Sequence, residues 1–266
     1  MVAIMITAAV ILMAGPTSAT TLLAQSPAEF GRPNLEFKLL CDKASYLVGE
    51  SIWIDVLVIN REKDTVKAYF PSPYFDHFNF VVIQGESDTV PYMGVEFEWI
   101  NVSSLPTCKI APGDTLYYAY DLLCGYSAPE AALDFRLKGR VRVSAVYWEI
   151  FRSNELDINI AEPQGSEAEA LRLLSKGTEG PLDDGTADYL RQLVNKHPSS
   201  VYMSRALKSL IAHERYKANG AAAVAEYSLR ILSAFPNSGL AVEGIPYYLG
   251  TCTKADSTAK FESLMA

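Results

Sequence analysis

Residues 46–60 read Tyr-Leu-Val-Gly-Glu-Ser-Ile-Trp-Ile-Asp-Val-Leu-Val-Ile-Asn, and this run decides the fold. From Ser51 to Asn60 it is rich in β-branched and aromatic residues and bounded by turn residues, which predicts a strand. Gly49 supplies the turn that leads into it. Working outward, Leu35–Leu40 alternates weakly, and Val66–Phe70, Phe78–Ile83 and Gly94–Ile100 are further strand candidates. Leu116, Tyr118, Tyr120 and Leu122 fall on one face of a strand. Val141, Val143, Ala145 and Tyr147 do the same, with Arg140, Arg142 and Ser144 opposite, and Leu156, Ile158 and Ile160 alternate with Asp157 and Asn159. About seven or eight strands with turn chemistry between them, over residues 35–161, predict a β-sandwich.

Some of these residues also form a recognisable pattern. Tyr46-x-x-Gly49-Glu50-x-Ile52 followed by Val58-x-Asn60 resembles the opening of bacterial immunoglobulin-like domains, among them the intracellular proteinase inhibitor-like sandwiches. Ile110-Ala111-Pro112-Gly113-Asp114-Thr115-Leu116 resembles the turn those domains place before a late strand, and Gly139 to Tyr147 resembles their penultimate strand. The resemblance implies an immunoglobulin-like β-sandwich. It implies no particular activity, because the motifs are turn and core residues.

Composition changes after residue 161. Residues 162–185 read as a helix and linker: Ser166–Ser175 is helical, with Ser166 as N-cap and Glu169 at capping-box spacing, and the Gly/Pro/Asp-rich stretch 177–185 reads as a loop. Residues 186–266 read as helical repeats. Tyr189, Leu190, Leu193 and Val194 form one apolar stripe, and Val201–Tyr216 and Ala221–Leu232 form a helical hairpin joined at Asn219-Gly220. Asp256–Met265 adds a final helix. Pro198 and Pro236 each open a Pro-x-Ser loop, 38 residues apart, close to the tetratricopeptide period of about 34. The pattern resembles the degenerate repeats of envelope scaffold proteins. An array this short does not bury both its faces, so the helices are expected to pack on the sandwich.

The chain has 266 residues, 49% of them apolar, and a net charge of −8. No Lys/Arg-rich run is present, which argues against nucleic-acid binding. Val2–Ala14 is an apolar run, broken at Gly15-Pro16 and followed by small residues ending at Ala19 or Ala24. This is the shape of a secretory signal peptide, residues 1–24, although its start lacks Lys and Arg. The mature chain is therefore expected outside the cytoplasm, periplasmic or secreted, with no membrane span.

Export makes disulfides possible among Cys41, Cys108, Cys124 and Cys252. Cys108 and Cys124 are nearest in sequence, and their bridge would contribute roughly 3 kcal/mol. A hairpin at Pro112-Gly113-Asp114 would instead place Cys108 opposite a residue near Tyr117, and buried thiols are the alternative.

Catalytic motifs are not evident. His77 and His197 read as loop residues, His213-Glu214 lacks a second His at helical spacing, and Glu96 and Glu98 share a strand face that is ordinarily solvated. Asn101-Val102-Ser103 matches a glycosylation sequon. The fifteen tyrosines are unusual, and Tyr69, Phe70, Tyr74, Phe75 and Phe78 cluster as a candidate binding surface, with core packing as the alternative. The expectation is a non-catalytic envelope protein, without cofactor or metal, that binds a protein or peptide partner. A proteinase inhibitor and an unrecognised hydrolase are the alternatives.

Overall fold

The computed structural model describes residues 33–69, 71, 78–86, 88–90, 107–123, 137–179 and 182–235. Eleven strands and then four helices are found among them. The strands are β1 (Leu35–Cys41), β2 (Ser45–Leu47), β3 (Trp53–Asn60), β4 (Val66–Tyr69), β5 (Phe78–Gln84), β6 (Asp88–Val90), β7 (Thr107–Ile110), β8 (Thr115–Asp121), β9 (Gly139–Tyr147), β10 (Phe151–Arg152) and β11 (Leu156–Ala161).

One sheet has the order β1-β3-β8, and a second runs β2-β11-β9-β5-β6, with β10 folded back on β9. Every pairing is antiparallel except that of β2 with β11. Alternation explains how the sheets meet. Ile54, Val56 and Val58 of β3 are buried, and so are Phe78, Phe80 and Val82 of β5 and Val141, Val143 and Ala145 of β9, all in one apolar core. Phe37 of β1 reaches Phe78 and Tyr147 of the opposite sheet, with ring centroids 6.0 and 5.8 Å apart. Two sheets sharing one core make a β-sandwich.

Two local features depart from the sequence reading. Tyr46 and Leu47, read as part of the turn before β3, form β2 and carry the chain from the first sheet to the second. The turn at Pro112-Gly113-Asp114 forms, with the Asp114 amide donating to the Ala111 carbonyl at 3.0 Å. Its flanking strands do not pair with each other, however: β7 pairs with β4 and β8 with β3, so Cys108 faces Ala68 rather than Tyr117. The candidate strand 94–100 and the final helix 256–265 lie outside the described residues.

One position on the outer edge of β1 is capped by a side chain. Asn154, just before β11, accepts from the Leu39 amide at 2.8 Å and donates to the Leu39 carbonyl at 3.1 Å.

The helices are α1 (Gly165–Thr178), α2 (Asp184–Lys196), α3 (Met203–Glu214) and α4 (Ala221–Ala234). Ser166 is not the cap of α1, which starts one residue earlier with Gln164 in the capping position and no side-chain bond. The capping box belongs to α2. There the Asp183 carboxylate accepts from the Thr186 amide, and the Thr186 hydroxyl takes the Asp183 amide, both at 2.9 Å. Residues 177, 178, 184 and 185 of the expected loop are helical, and Gly177 explains how: a Cβ there would lie 2.4 Å from Leu190, so glycine lets α1 and α2 approach. Gly220 allows a second close approach, since its Cβ would fall 1.8 Å from the Glu214 carbonyl oxygen. Leu173, Leu174, Leu190, Leu193, Leu207 and Leu210 anchor a second core between the helices.

Candidate functional site

The turn between β2 and β3 joins the two cores. Gly49 has φ +77°, and Glu50 is buried behind it. The Glu50 carboxylate accepts from the Leu47 amide at 2.9 Å and pairs with Lys43. That fixes the turn and points two backbone carbonyls at α3. The buried Tyr202 hydroxyl donates to the Val48 carbonyl at 2.7 Å, and the Arg205 guanidinium to the Gly49 carbonyl at 3.0 Å. Burial first, and nearby Glu167 and Glu50 second, push the Tyr202 hydroxyl far up from its ordinary value, so it stays a donor. Leu47 and Trp53 pack against the helical core, and the Lys208 ammonium lies 5.9 Å from the Trp53 ring centre. The helices are thus docked on the sandwich, through the residues 46–50 that the sequence marks as a turn.

A charged seam lies where α2 meets α3. Glu214, buried, accepts from Arg191 at 2.6 Å and faces the Lys217 ammonium at 3.5 Å. Arg191 also binds Asp188, and Lys217 also binds Asp184, each at 2.6 Å. Burial pushes the Glu214 carboxyl up, but the Arg191 hydrogen bond and the charges of Lys217 and Arg191 outweigh it, and the group is held below its usual range. Asp184 is likewise held low, by Lys217 first and His213 second. His213 lies within this seam. His197 sits at the end of α2 with its Nε2 buried and without a hydrogen-bond partner, 4.0 Å from Glu169. Such mutually compensated charges tie helices together rather than leave a base facing a substrate.

Of the five aromatic residues expected to form a surface, the described side chain is that of Phe78. Phe78 is fully buried, stacked edge-on to Phe37 and Phe80, and belongs to the core because β5 turns it inward. The main chain of Tyr69 is in β4, opposite Thr107, while Phe70, Tyr74 and Phe75 lie outside the described residues. Elsewhere on the sheet, Tyr118 and Tyr120 stack at 6.0 Å, and the Tyr120 hydroxyl donates to the Pro71 carbonyl at 2.7 Å. Desolvation pushes the Tyr118 hydroxyl up to about 12. The Cys108 thiol, also pushed up by burial, contacts the Ala68 carbonyl at 3.7 Å. Cys124, its suggested partner, lies outside the described residues, as do His77, Glu96, Glu98, Asn101 and Cys252.

No family model matches the chain, and no curated protein matches it. Solved structures give partial likenesses. A β-glucosidase from Erythrobacter marinus matches at TM-score 0.29 and 13% identity, over 48% of this chain and 16% of the enzyme. The CARDB domain of a Pyrococcus furiosus protein, solved with two metal ions, matches at 0.26 and 11%, over 55% of this chain and all of the domain. The sporulation control protein Spo0M of Bacillus subtilis matches at 0.27 and 12%, over 53% of this chain and 54% of that one. The chain is a β-sandwich followed by helices. Likenesses this distant carry no activity, substrate or metal over to it. Among the described residues no three His, Cys, Asp or Glu side chains are grouped to hold a metal ion, and no helix is long and apolar enough to cross a membrane.

The sequence reading missed Tyr202, Arg205, Arg191 and Asp184. No local pattern marks the first two: α3 reads as an ordinary amphipathic helix with half of its residues polar, and the partners of Tyr202 and Arg205 lie 154 and 156 residues away.

Proposed function

We propose that the chain is an exported, non-catalytic binding or scaffold protein of the bacterial cell envelope, in which an immunoglobulin-like sandwich carries a short tetratricopeptide-like array. Division of the first strand region between the two sheets, β1 with β3 and β2 parallel to β11, supports the immunoglobulin-like reading. The repeat reading is supported by spacing, since Gly165 and Met203, the starts of α1 and α3, are 38 residues apart, as Pro198 and Pro236 are. Export rests on the sequence of residues 1–24.

The observation that carries binding is the outer face of the β1-β3-β8 sheet. Leu40 is 40% and Tyr117 52% exposed there, beside half-buried Leu57 and Ile59, and exposed apolar clusters mark contact surfaces. The α3 face is already taken by the sandwich, so the helices serve this reading as a rigid support. The test uses full-length protein with a photo-crosslinking residue at position 40, run in intact cells. A discrete protein adduct that disappears when Tyr117→Lys is added, with the melting temperature unchanged, supports the reading. Absence of any adduct, or the same adduct in the Tyr117→Lys protein, defeats it.

A further inference from the structure

We propose that His213 is a proton-operated tie between the start of α2 and the end of α3, engaged when both ring nitrogens carry hydrogen and released when one is lost. Nδ1 lies 3.2 Å from the Leu182 carbonyl oxygen and Nε2 3.1 Å from Asp184 Oδ1. Both oxygens are acceptors only, and a neutral imidazole has a single N–H. Whichever neutral tautomer forms, a ring lone pair then points at an oxygen at hydrogen-bond distance. Only the imidazolium bonds to both. The ring is 7% exposed but Asp184 is 80% exposed, so on loss of the proton it is the Asp184 carboxylate that is free to turn to water and leave the ring.

The surroundings fit a charged ring. From α2 it faces Asp184, and from α3 it faces Glu214, whose Oε1 is 3.9 Å from Nε2. Lys217 contacts both of those carboxylates, and Arg191 bridges Glu214 to Asp188. With His213 charged, three cations (His213, Lys217, Arg191) balance three carboxylates (Asp184, Glu214, Asp188). Loss of the proton leaves the seam one charge short and breaks one of the two ring bonds. The tie is therefore engaged with the charged ring and released with the neutral one, and the segment it releases is residues 182–184, where the cap of α2 sits.

The experiment is nitrogen-15 NMR on the full chain, following the ring nitrogens of His213 from pH 5 to pH 9, assigned by comparison with His213→Gln and His197→Gln. Both nitrogens of His213 are expected at the protonated position at the acid end of that range. As the ring loses its proton, exchange of the Thr186 and Ala187 amides should quicken about tenfold after correction for intrinsic rates, the change associated with one net hydrogen bond. His197→Gln should keep this step and His213→Gln should lose it. A single protonated nitrogen throughout the range overturns the proposal, and so does a step that survives in His213→Gln. Should His213→Gln not fold, the ring shifts of the wild type, assigned through His197→Gln, decide alone.

Discussion

Asn60 is fully buried at the end of β3, and its side chain makes three hydrogen bonds. Its amide donates to the carbonyls of Asp64 and Ile110, at 2.8 and 2.9 Å, and its oxygen accepts from the Glu62 amide at 2.8 Å. One residue thereby pins the β3–β4 turn to β7. Replacing it leaves buried backbone groups without partners, so Asn60→Ala should destabilise the protein by about 2–3 kcal/mol, read from urea unfolding. A change within experimental error would mean that water takes over those bonds. Asn60 stands out in the sequence as the end of Val58-x-Asn60, but its role was not legible there. Ile110, the partner that matters, is fifty residues away, and no local pattern records such a contact. Phe78 shows the reverse problem. Its neighbours in sequence are aromatic and suggest a surface, yet the alternation of β5 alone, Phe78 and Phe80 inward with Asn79 outward, places it in the core.

At the scale of elements, period did most of the sequence's work. The alternation in β3, β9 and β11 and the stripe of α2 identified each element to within a residue or two of its observed ends. What the period could not supply was pairing, because a strand's partner is set by the whole sheet. β2, β6 and β10 have three residues or fewer, too short for alternation to register. The charged seam was invisible for a related reason: Arg191 and Glu214 are 23 residues apart and meet only when α2 packs on α3. Its pH dependence has a definite sign. Glu214 is held below its unfolded value, so the stability it contributes is complete above the ordinary glutamate range of about 4.3 and is lost as pH falls through the lowered folded value. Glu214→Gln should cost about 2 kcal/mol at pH 7 and flatten the loss of helix stability below pH 5. Equal slopes for both proteins, followed by circular dichroism at 222 nm during urea titrations, would assign the acid sensitivity elsewhere.

Over the whole molecule, the β2–β3 turn decides whether the two cores behave as one body. Tyr202 reaches the Val48 carbonyl across 154 residues of chain, and Arg205 reaches Gly49 beside it. Packing of the helices on the sandwich was an expectation from the shortness of the array. The site of contact was not, because the same residues 46–50 also read as an ordinary turn. Calorimetry of the wild type should give one cooperative transition. Tyr202→Phe removes a buried bond worth about 1–2 kcal/mol, and together with Arg205→Ala it should separate unfolding into two transitions. A single unaltered peak would show that Leu47 and Trp53 couple the cores without the polar clamp.

The Asn154 side chain has a meaning beyond the single molecule. By taking up both main-chain groups of Leu39, it supplies from within what an incoming strand of another copy would otherwise supply. The outer edge of β1 is thereby blocked at Leu39, on the sheet that exposes Leu40 and Tyr117. An edge interrupted at Leu39 is a poor template for the strand-by-strand addition that builds cross-β fibrils.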